Sequence, residues 1–319
     1  FVTIVISIRK KGGIHLRTVF TACGDALIMH RLPENYPGQM QIQEYLKTGD
    51  FRIVNLETTI TDKNCYPSTF SGGTWLTAEA PVLDDLLDFG FNLWGIANNH
   101  MLDYSYPGLF QTLSALRQRG IAFTGAGESL EKASKAAIAE SAAGRTALIA
   151  LTSTFDDSAR AGIQGPYLPA RPGINPMRFE QKYLLNQAHM DQLKEIADVC
   201  NVNVKNKRRL KTGYKLQESN DIFEFKDMKF CLNAQEGKIT IPSTVDLNRT
   251  IRAIEELKRD VEHVVVMFHS HEMKDDNMES IEDFVQECSH AFIDAGASLV
   301  LGGGCHQLKS IELYKGKPV

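Results

Sequence analysis

The chain is short of several features, and each shortage removes a class. No apolar run approaches the roughly 20 residues that a membrane-spanning helix needs. The opening "FVTIVISI" is far shorter and reads as a strand, and the "RKK" after it stands on the wrong side for a signal peptide. No membrane span is therefore expected in this chain, and the compartment stays open between cytoplasm and cell surface. Six cysteines (Cys23, Cys65, Cys200, Cys231, Cys288, Cys305) are scattered with no CxxC pair. That excludes a closed thiolate zinc site and a compact disulfide framework, and leaves reduced thiols used as small apolar side chains. Positive charge is not in excess: 35 Lys+Arg stand against 39 Asp+Glu, a net charge of -4. A nucleic acid is thus a poor partner, because nothing is left over to neutralise a phosphate backbone. No G-x-S-x-G occurs, which removes a serine hydrolase of that type. "TGAGES" lacks both a third glycine and a GK[ST], so it reads as a tight strand-to-helix turn and not as a phosphate loop.

What is present is an ordinary globular composition, 319 residues with 43% hydrophobic content, and residues 1–319 read as a single domain. Strand-like runs at 18–23, 51–56, 91–97 and 146–153 alternate with helical patterns such as "APVLDDLLDFG" and "YPGLFQTLSALRQRG", each carrying a proline near its start and a glycine at its end. A long Gly/Pro-rich loop is expected over 156–176, then a helix around 178–199. Residues 205–245 read as an inserted β-hairpin, with Lys205, Lys207, Arg208, Arg209 and Lys211 as a solvated edge that discourages strand pairing. Alternation resumes with "DLNRTIRAIEELKRDV", "HVVVMF", "ESIEDFVQECSHAFIDAG", "SLVLGG" and "KSIELYK". The whole predicts an α/β fold with mixed sheets.

Polar groups able to bind a metal follow five of the apolar strands, where open α/β sheets place their sites. They are Asp25 in "TACGD", Asn55 and Glu57 in "IVNLE", Asn99 and His100 in "GIANNH", His269, His271 and Glu272 in "VVVMFHSHE", and His306 in "LVLGGGCH". Singly, each has a plain explanation: a turn aspartate, an Asx-turn, a core histidine. One shared site accounts for all five more economically. Carboxylates, imidazoles and a carboxamide oxygen form a mixed O/N set suited to one or two divalent ions such as Mn, Zn or Fe. A histidine beside a ligand but not itself bound could protonate a leaving oxygen, a role that falls to His100.

With "ACGD", "IVNLETTIT", "WGIANNHMLDYSYPGLFQTLSALRQRGIAFTGAG", "ARPGINPMRF", "HVVVMFHSHE" and "DAGASLVLGGGCHQLKSIELYKGKPV" in view, the chain resembles the CapA family. These are capsule and poly-γ-glutamate biosynthesis proteins of the calcineurin-like metallophosphatase superfamily. The resemblance implies a four-layer αββα sandwich with a metal site at one end. By position it implies Asp25, Glu57, Asn99, His269 and His306 as metal ligands, His100 as catalytic acid and Asp103 as the carboxylate that orients it. The chain departs from the family pattern at Gly304, where a histidine is expected, and at Leu27, in place of a first-motif histidine. His271 and Glu272 are further candidate ligands, and Arg31, Arg160 and Arg171 are candidates for binding a polyanion. The final strand segment of the family is expected to be missing after residue 319.

The implied function is a metal-dependent hydrolase or transferase acting on a phosphoester or on γ-glutamyl amide bonds of an anionic polymer. The rival is a non-catalytic polyanion-binding or assembly component with a degenerate metal site.

Overall fold

A strand such as Phe51–Leu56 is buried along almost its whole length, which requires neighbours on both edges and packing on both faces. The computed structural model describes residues 2–9, 15–34, 36–62, 64–216, 219, 221–277 and 279–319, with backbone alone for 2–9 and 15–16. It supplies those neighbours in a mixed α/β architecture. Phe1, Lys10 and Lys11 of the opening run, and Gln217 at the end of "NKRRLKTGYKLQ", lie outside the described residues. Among the described residues no helix is long and apolar enough to cross a membrane.

The first sheet has the order Val2–Arg9, His15–Ala26, Phe51–Leu56, Leu93–Gly95, Phe123–Thr124, parallel except for its first pair. The second has the order Leu299–Gly303, His263–His269, Gly144–Thr152, Ala137–Ser141, parallel except for its last pair. Phe20, Phe51, Ile53 and Leu93 of the first sheet share one core cluster with Leu148, Ala150, Val265 and Met267 of the second. Gly95 marks how closely they approach, because a Cβ there would lie 2.4 Å from the Met267 sulfur. The other face of the first sheet packs with residues of the helices Val82–Asp88 and Ser105–Gln118. That of the second packs with Thr244–Leu257 and Asp283–Ala295. Register then decides what meets what at the carboxyl ends. Asp25 is level with Asn55, and Asn55 with Gly95, after a bulge between Ala22 and Asp25. On the second sheet Thr152, His269 and Gly303 are level.

Two segments differ from the sequence expectation. Residues 178–199 are not one helix: Phe179–Leu185 is a strand, and the helix is Gln187–Val199. The strand pairs on one edge with Met228–Leu232 and on the other with Gly237–Pro242, partners too distant in sequence for local periodicity to reveal. The Asn186 side chain accepts a bond from the His189 N–H and so starts the helix there. Residues 205–211 are not a strand edge but most of the helix Val204–Lys211. "VKNKRRLK" is rich in Lys, Arg and Leu, which favour helix. The hairpin within 205–245 is Ile222–Phe225 with Met228–Leu232.

Candidate metal centre

The carboxyl ends of the two sheets bring Asp25, Glu57, Asn99, His269 and His271 together. His269, fully buried, is at their centre. Its Nε2 has Asn99 Oδ1 at 2.8 Å, His271 Nε2 at 3.1 Å and Glu57 Oε1 at 3.4 Å. Its Nδ1 lies 3.5 Å from Asp25 Oδ1. One ring nitrogen carries at most one proton, so three lone-pair atoms converging on Nε2 cannot all be satisfied by it.

Glu57 makes the shortfall plain. It is wholly buried, and among the described residues neither carboxylate oxygen has a hydrogen-bond partner. A bare buried carboxylate is strongly disfavoured unless a cation or proton compensates it. Ligand atoms of Glu57, His269 and His271 all lie within 4.8 Å of one another. Two imidazoles and a carboxylate with Asn99 Oδ1 alongside form a donor set that fits a divalent transition ion.

The neighbours hold this set in orientation. Asn99 Nδ2 donates to the Gly72 carbonyl at 2.7 Å, which turns Oδ1 toward His269. Asn98 donates to Asn55 Oδ1 and to the Leu56 carbonyl, while its own oxygen accepts the His100 N–H. Asp25 accepts from Asn55 at 2.7 Å and from the Gly304 N–H at 2.9 Å. Burial alone would raise the Asp25 carboxyl, but His269, Asn55 and Gly304 outweigh it and hold it well below the usual carboxylate range.

His100 and Asp103 form a pair beside this group. Asp103, fully buried, takes His100 Nδ1 at 2.7 Å and also the N–H groups of Gly72 and Leu76. That leaves His100 Nε2 as the ring nitrogen free to exchange a proton. Gly72 belongs to both groups, since a Cβ on it would lie 2.6 Å from Asn99 Nδ2 and 2.7 Å from the His100 ring.

Gly304 has φ +93°, and a Cβ there would lie 2.9 Å from the Ser270 backbone and 3.1 Å from His269 Nε2. The backbone itself therefore fills the place where a side chain would have to start. His271 faces the same nitrogen from the other strand-end loop.

The remaining candidates are placed differently. His306 is exposed, its ring edge-on to that of His271 at 5.1 Å. Glu272 accepts from Ser153 at 2.5 Å, Ser270 at 2.6 Å and Thr154 at 2.9 Å, so its carboxylate is occupied by hydroxyls. Arg31 forms a two-point pair with Asp85. Arg171 donates to the Arg160 carbonyl, and Arg160 to Asp157. Sequence reading overlooked Ser153 and Thr154. Thr154 also accepts the His271 N–H at 2.8 Å, so it fixes the loop that presents His271. The hydroxyl run "TST" after the strand Gly144–Thr152 was the available signal, a sixth polar strand end. The thiols take no part: all six are free, and burial pushes Cys23 and Cys288 up to about 12.

Residues 19–319 match the family model described as "Bacterial capsule synthesis protein PGA_cap". The chain is 30% identical over 302 residues to the Sinorhizobium fredii protein y4sH, covering 93% of this chain and 63% of that protein. It therefore spans less than two thirds of that relative's length. Capsule biosynthesis protein CapA of Bacillus anthracis is 27% identical over 127 residues, 39% of this chain and 31% of that protein. A probable polyglutamine synthesis accessory protein of Mycobacterium tuberculosis is 36% identical over 97 residues, 28% of this chain and 23% of that protein.

Proposed function

The chain belongs to the bacterial capsule synthesis protein family PGA_cap, and from that premise we propose that it is a divalent-metal-dependent hydrolase or transferase. Its substrate is an anionic cell-envelope polymer, cleaved or transferred at a phosphoester or a γ-glutamyl amide bond. The observation that carries this reading is Glu57, a fully buried carboxylate with no hydrogen-bond partner among the described residues, facing His269 and His271. The core cluster shared by the two sheets, with helices packed on their other faces, supports a four-layer sandwich of the metallophosphatase type.

Glu57, His269 and His271 would hold the ion, with Asn99 Oδ1 beside them. When bound, a Mn, Zn or Fe ion supplies Lewis-acid polarisation of a phosphoryl or carbonyl oxygen. His100, fixed through Nδ1 by Asp103, delivers a proton from Nε2 to the leaving atom, the oxygen of a phosphoester or the nitrogen of an amide. Asp25 keeps His269 Nδ1 facing a negative charge, which raises the donor strength of Nε2. The crowding at Gly304 favours a single ion over a pair.

Gly304 also motivates a second reading, a polymer-binding component whose metal site has lost its chemistry. Metal analysis and turnover separate the two. The purified protein is expected to hold one divalent ion per chain. At a hundredfold excess over Kd, that ion should stabilise it by about 2.7 kcal/mol relative to chelated protein. His271→Ala should lose most of this gain. His100→Ala should keep the metal and lose divalent-dependent phosphodiesterase or γ-glutamyl hydrolase turnover. Finding no bound metal, or unchanged turnover in His100→Ala, would reject the catalytic reading.

A further inference from the structure

The basic run at 205–211 is left over by the site described above. As a helix, not a strand edge, its charges acquire a direction. At about 100° per residue, Lys207, Lys211, Arg208, Lys205 and Arg209 fall in that order around an arc of about 200°. Asn206 and Leu210 occupy the remaining sector. Asn203 donates to the Glu224 carbonyl and Asn206 to the Glu224 carboxylate at 3.2 Å, so this sector is fastened to the strand Ile222–Phe225. All five basic side chains are exposed. Lys207 has an acidic partner, Asp198. Among the described residues no acidic side chain pairs with Lys205, Arg208, Arg209 or Lys211. In a chain of net charge -4 this is a local concentration of unneutralised positive charge, the kind of surface that captures anions by field.

We propose that the outer face of the helix Val204–Lys211 is a docking surface for a linear polycarboxylate, a chain of the polyglutamate class. The choice of carboxylate polymer rests on the capsule-polymer reading given above. Two structural observations agree with it. The helix is about 12 Å long, matching a few repeats of a flexible acidic chain. It also carries no aromatic ring on which nucleic acid bases could stack. The sheet behind it reaches the candidate metal centre: Lys238 of the strand Gly237–Pro242 donates to the Met273 carbonyl at 2.6 Å, on the loop that presents His271. The helix is fastened to one edge strand of this four-stranded sheet, Ile222–Phe225, and Gly237–Pro242 is the opposite edge, so an extended polymer would have to cross the sheet to reach the site.

Binding of fluorescently labelled poly-γ-glutamic acid to the full chain, followed by anisotropy in EDTA, tests the surface separately from the metal chemistry. Affinity is expected to fall at least about tenfold when salt rises from about 50 to about 300 mM. The quadruple variant Lys205→Glu/Arg208→Glu/Arg209→Glu/Lys211→Glu should weaken low-salt binding by about tenfold or more. The charge-conserving variant Lys205→Arg/Arg208→Lys/Arg209→Lys/Lys211→Arg should bind as the parent does. Because the four side chains are exposed, the melting temperature should not move. If it does, the corresponding Gln variant replaces the reversal. Because the measurement is made in EDTA, failure of the metal reading leaves this result intact. Undiminished binding in the charge-reversed protein would overturn the proposal. So would preference of the parent for duplex DNA or for anionic lipid vesicles over the polymer.

Discussion

Asp246, in the first turn of the helix Thr244–Leu257, and Glu57, just past the strand Phe51–Leu56, are both fully buried carboxylates. Around Asp246 both carboxylate oxygens have partners. Arg178 reaches it through Nε at 2.6 Å, Nη2 at 3.0 Å and the backbone N–H at 3.0 Å, and Arg249 through Nη1 at 2.5 Å. Burial pushes the Asp246 carboxyl up, but the two arginines reverse this and hold it below the usual carboxylate range. Among the described residues neither oxygen of Glu57 has a hydrogen-bond partner, and what faces it is two imidazoles, those of His269 and His271. The difference separates a carboxylate that fastens the fold from one left open for a ligand. Glu272 belongs with Asp246 in this respect: a glutamate next to a candidate ligand, yet saturated by three hydroxyls.

The contrast is broken most forcefully by removing the answered charge. Asp246→Ala strands two partly exposed guanidiniums, of Arg178 and Arg249, and is expected to cost about 2–3 kcal/mol in urea denaturation. Its pH dependence has a definite sign. The folded carboxyl lies below its unfolded value of about 3.9, so its contribution is fully present above that pH and disappears as pH falls through the lower folded value. Asp246→Asn should flatten that part of the acid unfolding limb. A limb of unchanged steepness would show that the arginines do not act through this charge.

The opposite outcome is expected at Glu57. In EDTA, Glu57→Gln removes an uncompensated charge and should raise stability by about 1 kcal/mol, while abolishing the stabilisation by added Mn or Zn. A loss of the size predicted for Asp246→Ala would erase the distinction between the two carboxylates. The smallest effect is expected at Arg31, whose side chain is 60% exposed although it pairs with Asp85 at two points. Arg31→Ala should leave the melting temperature nearly unchanged. It should leave polyanion binding unchanged, since its guanidinium is already engaged.

The sequence was most legible where the relevant interactions are short in range. The buried strands and the helices on their outer faces follow from apolar periodicity. His100 and Asp103 are three positions apart, and their pairing, implied by the family resemblance, needs no distant partner. Legibility failed where a partner lay far along the chain. Phe179–Leu185 is a strand because of residues 228–232 and 237–242. Glu272 is drawn away from the metal group by Ser153 and Thr154, more than a hundred positions earlier. The basic run changed meaning altogether, since helix and strand distribute the same five charges on different faces.

By itself, the sequence determined which residue types stand at the strand ends, because alternation of apolar runs and polar termini is a local pattern written in consecutive residues. It also set a glycine at position 304, where the family resemblance implies a histidine. Only the tertiary structure decided which of those residues converge. Strand register levels Asp25 with Asn55 and His269 with Gly303, and the facing of two sheets carries Glu57 to His269 and His271. The same packing closes the space at Gly304 and leaves Glu57 unanswered, because burial and the lack of a partner are properties of neighbours and not of the residue that has them.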